Sequence, residues 1–226
     1  MERIVNAFGK LFSLRKGTVV VGQADRMTTI ETEEKSTFVQ LDIESHGDTF
    51  YVVKNEFYKD LFNDKSTSFG NVNCDGIAMV RHGEQSYVLL VELKSNVDSD
   101  KISEAFQQEV RSFLKLTTVL GICDGYSVSD FAIRGVIACH PFKSEDDRTH
   151  CLHNLLWEKD AGKKDAKFKY RMITEKKITA RFENCKWFIP ADSLHDNIRN
   201  HDFTISLVFG EKYEDHALSI PLSAII

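Results

Sequence analysis

The chain has 226 residues, of which 42% are apolar and 28% charged, and a formal net charge of −5. Those proportions fit one soluble globular domain with a sizeable core, and no run approaches the ~18 apolar residues of a membrane span. Five cysteines without short regular spacing argue against a disulfide framework and for a reducing cytoplasm.

From Met1 to Gly17, Ile4, Val5, Phe8, Leu11, Phe12 and Leu14 recur at helical spacing, which predicts a helix docked on the core. The segment lacks the apolar centre and cleavage site of a signal peptide. Thr18–Val21 reads as a short strand, and residues 28–36 as a polar turn or extension. Thr37–Ile43 and Thr49–Val53 alternate around His46-Gly47-Asp48, so a hairpin is expected there. Asn55 can cap a short helix over Glu56–Phe62, and Asn63–Asn73 is a turn-rich loop.

Two strands are expected next, over about 74–81 and 86–94. Val88-Leu89-Leu90-Val91 is apolar on both faces, which marks a central strand. A helix over about 98–120 follows, with Asp98, Ser99 and Asp100 at its start. At about 100° per residue, Ile102, Phe106, Val110, Phe113 and Thr117 share the face that should pack on the sheet. Gln108 borders that face. Glu109 lies within it, where an acid needs a partner. Gly121 is the expected C-cap, and residues 131–138 form the next strand.

Beyond Pro141, Asp147–Trp157 looks helical. Phe168–Ile173, Lys177–Phe182, Lys186–Ile189, Thr204–Phe209 and Ala217–Ile220 look like strands. The fold class is therefore α/β: a mixed central sheet flanked by helices, with a core over about 37–140 and a β-rich extension over about 141–226. The extension wraps on the same sheet or forms a small second lobe. Residues 159–186 carry ten Lys and Arg against four acids. That basic stretch is either a solvated surface or a site for polyanions.

The chemistry concentrates between Asn73 and Phe113. Asp75 opens one strand, and Glu92 and Lys94 close the next. Residues i and i+2 of a strand share a face, so Glu92 and Lys94 point together and Leu93 points into the core. Two carboxylates meeting at a hairpin can hold a hard divalent cation. A lysine on that face can orient water or offset negative charge. Such a set suits hydrolysis of a phosphodiester. The plainer readings are an aspartate bonded within an Asp-Gly turn and an exposed Glu–Lys pair of little energetic value.

The spacing resembles the PD-(D/E)XK nuclease superfamily, with its restriction-endonuclease-like fold. Asp75 stands at that motif's aspartate, and Glu92-Leu93-Lys94 reads as its E-x-K. The likeness covers about Glu56 to Cys139, and Cys74 stands where the family often has proline. It implies a magnesium- or manganese-dependent hydrolase that cuts nucleic acid, with DNA the expected substrate, by metal-activated water. It also implies Asp75, Glu92, the Leu93 carbonyl and Glu56 as metal ligands, and Gln108 on the crossover helix near the site, with Glu109 as its rival. Many nucleases of that fold pair to cut both strands, so the resemblance allows a homodimer without fixing the oligomeric state. The basic stretch, with Lys163, Lys164, Lys167, Lys169 and Arg171, would then contact nucleic acid. The alternative function is a nuclease-like fold that has lost catalysis and serves as a binding or assembly module.

Cys139-His140 and His150-Cys151-x-His153 are capable of binding zinc. Neighbouring strand residues point to opposite faces, however, and the short paired spacing of zinc sites is missing. Serine-hydrolase, P-loop and Rossmann motifs are absent from the sequence.

Overall fold

A computed structural model describes residues 1–12, 21–54, 72–185 and 191–226. In chain order the described elements are α1 (Glu2–Phe12), β1 (Val21–Ala24), β2 (Arg26–Ile30), β3 (Gln40–Glu44), β4 (Phe50–Val53), β5 (Gly76–His82) and β6 (Gln85–Lys94). After these come α2 (Ser99–Leu120), β7 (Phe131–Cys139), α3 (Glu145–Asp160), α4 (Ala166–Glu175), β8 (Lys177–Arg181), α5 (Asp196–Arg199), β9 (Asp202–Phe209) and β10 (Ala217–Pro221). The expected helix over Glu56–Phe62 and strand over Lys186–Ile189 lie outside the described residues.

Seven strands form a mixed sheet in the order β1-β4-β5-β6-β7-β9-β8. β5 and β6 are antiparallel, while β7 runs parallel to both β6 and β9. β6 lies at the centre, and its residues from Val88 to Leu93 are buried, as the two-sided apolar run requires. A parallel β6–β7 pair needs a crossover, which α2 supplies. Asp98 caps it by accepting from the Lys101 N–H at 2.8 Å. The α2 side chains Ile102, Phe106, Val110 and Phe113 share one core with Val88 and Leu90 of β6, and Ile4 and Phe8 of α1 join it.

The opposite face is covered by a second, three-stranded sheet, β10-β3-β2. Met27, Leu41 and Ile43 pack there against Leu89, Val91 and Val136 of the large sheet. This changes the reading of the N-terminal third. β3 and β4 are not a hairpin: β3 pairs with β2 and β10, and β4 with β1 and β5. The turn through Gly47, at φ +95°, carries the chain from one sheet to the other. Residues 26–30, taken in part for a turn, are β2, whose alternating Met27 and Thr29 are buried.

In the C-terminal third, β8 and β9 extend the large sheet and β10 completes the small one. Residues 168–173, expected as a strand, belong to helix α4. Its buried positions are Ala166, Phe168, Lys169, Met172 and Ile173. That is a 3.6-residue period concealed by a lysine in the apolar row. Gly121 ends α2 in a right-handed conformation, with its N–H bonded to the Thr117 carbonyl, not as a left-handed cap.

Candidate active site

The β5–β6 hairpin turns at Gly83, whose φ of +59° suits a residue without Cβ. Its register pairs Gly76 with Val91. One step further, at the open end, Asp75 comes beside Glu92. The Leu93 N–H donates to Asp75 Oδ2 at 2.7 Å, which locks the two ends together. Glu92 and Lys94 share the α2 face with Val88 and Leu90, while Leu93 is buried on the other face. Lys94 Nζ donates to Glu92 Oε1 at 2.5 Å and to Gln108 Oε1 at 2.8 Å. The E-x-K pair is thus not exposed: the Glu92 and Lys94 side chains retain 1% and 15% of their accessible surface.

Helix α2 holds the segment leading into Asp75 from three successive turns. Gln108 Nε2 donates to the Asn73 carbonyl at 3.3 Å, and the Cys74 N–H donates to Ser112 Oγ at 2.8 Å. Lys115 Nζ reaches the Val72 carbonyl at 2.9 Å and Asn73 Oδ1 at 2.7 Å. A proline at position 74 would have no N–H for Ser112, which gives Cys74 a structural reason. Ser112 and Lys115 are both fully buried, and burial draws the Lys115 pKa down to about 8.

Burial outweighs the countercharge of Lys94 at the acids of the site. Burial, reinforced by Glu31 and Glu33, pushes Asp75 up to about 7 against the opposing effects of the Leu93 N–H and Lys94. Burial and the nearby Asp75 raise Glu92 well above the usual carboxylate range, with Lys94 opposing. Glu92 Oε2 is buried without a hydrogen-bond partner. Beneath it Glu109 is fully buried, and its pKa is raised by burial and by Glu92. Neither Glu109 oxygen meets hydrogen-bonding geometry, although the Val136 amide is near enough to favour the charged form. Gly135 makes room for it: a Cβ there would stand 2.2 Å from Glu109 Oε2. Gln108 thus stands beside Lys94, and Glu109 faces the sheet.

The site lies in a cleft of about 860 Å³. One wall is the α2 face bearing Lys101, Glu104, Gln107 and Arg111; the other is the segment from Thr28 to Ser36. That second wall brings in Glu31 and Glu33, which sequence reasoning missed. They are remote in sequence from Asp75, and only the packing of the small sheet brings them near.

Asp75 and Glu92 could hold a divalent cation with backbone oxygen and water. The orphaned Glu92 oxygen and the raised carboxyls are what such an ion would satisfy. Among the described residues no group of three His, Cys, Asp or Glu side chains is arranged to bind a metal, and Glu56 lies outside them. Of the basic stretch, Lys163, Lys164 and Lys167 are exposed and Arg171 is half-buried. Lys163 pairs with Glu158, and Arg171 with Glu175. Lys169 is buried and committed to Asp165 at 2.7 Å and Asp100 at 3.7 Å, so it is not a surface contact for phosphate. All five cysteines are free, with Cys139 buried in β7. Among the described residues no helix is long and apolar enough to cross a membrane. Comparison with protein-family models, with curated proteins and with solved structures found no match to this chain.

Proposed function

We propose that the chain is a divalent-metal-dependent nuclease, acting most readily on DNA, on a restriction-endonuclease-like core. The observation that carries this reading is the meeting of Asp75, Glu92 and Lys94 at one end of the central hairpin, on the floor of a cleft, with a buried Glu92 oxygen left unpaired. Asp75 and Glu92 would hold Mg2+ or Mn2+, and the resemblance adds the Leu93 carbonyl. When bound, such an ion polarises the phosphate and makes water more acidic.

The remaining roles fall to the chain's own side chains. Water attacks the phosphorus and gives up a proton to solvent, while the bond to one sugar oxygen breaks and that oxygen takes a proton from solvent. An ammonium has three donors, and Glu92 and Gln108 take two of those on Lys94. The third is left for the attacking water or a phosphate oxygen. Gln108 steadies that ammonium and, through the Asn73 carbonyl, ties it to the strand that carries Asp75.

A plasmid-nicking assay with magnesium and with EDTA tests the reading. Glu92→Gln keeps the shape of the side chain and loses the charge. Divalent-dependent cleavage should fall by roughly 100-fold or more, the scale seen when one essential electrostatic group is removed. A mutant of full activity would place the catalytic acid elsewhere. Wild-type protein that binds the plasmid in calcium but never cuts it would instead be a binding module on the same fold.

A further inference from the structure

The cleft contains a cation that the reaction described above does not use. Arg111 lines the α2 wall, half-buried, and makes no hydrogen bond or ion pair among the described residues. Of the other cations lining the cleft, Lys94 is held by Glu92 and Gln108 and Lys101 by Glu104 at 2.8 Å, while Lys35 is exposed to solvent. Glu31, Glu33, Asp75, Glu92 and Glu104 line the same cleft, yet none of them pairs with Arg111. A guanidinium keeps its charge at every accessible pH. Holding one half out of water without a counterion is unfavourable. Arg111 also stands four residues before Lys115, a like-charged i, i+4 pair that weakens a helix slightly. Gln107, one turn earlier, lines the cleft too and has no hydrogen-bond partner among the described residues.

We propose that Arg111, assisted by Gln107, forms an anion subsite that takes the phosphate next to the scissile one. The subsite itself follows from the cleft geometry; the identification of its anion as a polynucleotide phosphate rests on the nuclease reading. Arg111 lies three residues beyond Gln108, about 4.5 Å further along the helix axis. That offset sets it beside the Lys94 position and not on it. The planar fork of arginine matches two phosphate oxygens at once. The substrate strand then lies along the α2 wall, inside the cleft.

Binding of a fluorescent oligonucleotide, single-stranded and duplex, is measured in calcium across a salt series. The proteins are wild type, Arg111→Gln and Arg111→Lys. Inorganic pyrophosphate, followed by NMR shifts of the arginine side chains, is a second probe that needs no nucleic acid. Arg111→Gln should weaken oligonucleotide binding roughly tenfold, as loss of one charge-assisted contact does, and flatten the salt slope by about one. Arg111→Lys should restore the slope but not the full affinity. Equal affinity and slope in Arg111→Gln would overturn the subsite and leave the nuclease reading standing. If wild type binds no oligonucleotide, yet pyrophosphate shifts the Arg111 signal and that response is lost in Arg111→Gln, the anion subsite stands and the nuclease reading falls. Wild type that responds to neither probe overturns both.

Discussion

Asp75 is pulled in opposite directions. Burial, Glu31 and Glu33 favour its neutral form, while the Leu93 N–H and Lys94 favour the charged one, and the balance leaves it at about 7. In an unfolded chain it would titrate near 3.8. Between those values the folded metal-free protein holds a proton that the unfolded chain has released, so stability falls as pH rises through the window and levels off above about 7. In EDTA the melting temperature should therefore drop from pH 5 to pH 8, a slope to which the raised Glu92 and Glu109 add, and Asp75→Asn should remove the share that belongs to Asp75. A melting temperature that is flat over this range, or a slope unchanged in the variant, would show that Asp75 is ionised throughout. On the proposed function, a divalent cation held by Asp75 would displace the same proton, so its affinity should climb with pH over the same range.

Helix α2 and the hairpin before it were legible in the sequence because each carries its own period. The expected limits of 74–81, 86–94 and 98–120 differ from the observed elements by about two residues or fewer. Asp75, Glu92 and Lys94 stood out by residue type and spacing at the ends of these strands, and Gln108 only through the likeness to the nuclease superfamily. Two things were hidden. Sequence alternation shows that a segment is a strand but not which strand it joins, so β3 and β4 looked like partners. In α4 a lysine occupies an apolar position because Asp165, four residues earlier, neutralises it at 2.7 Å, and no sequence period reveals that pairing. This element also limits what the basic stretch can do. Replacing Lys163, Lys164 and Lys167 by serine should flatten the salt dependence of DNA binding by fewer than three charges' worth, because Lys163 already pairs with Glu158. A slope unchanged from wild type would make this basic stretch a solvated surface and nothing more.

Across the molecule the cleft is an assembly of distant parts. Its floor comes from the large sheet and one wall from α2, while the other wall hangs on the small sheet. The small sheet depends on β10 pairing in parallel with β3, and the partners Gln40 and Ala217 are separated by most of the chain. Asp75, Glu92 and Gln108, by contrast, sit within one short stretch. Closing a long loop costs entropy that local contacts avoid, and non-local parallel pairing is slow. The protein should therefore assemble its chemistry before its enclosure: the hairpin and α2 first, the wall with Glu31 and Glu33 last. Pulse-labelled hydrogen exchange during refolding should find the β5 and β6 amides protected before those of β3, and simultaneous protection would refute that order. During synthesis, the cleft of the nascent chain would stay open on the side of Glu31 and Glu33 until the strand at 217–221 has emerged and docked.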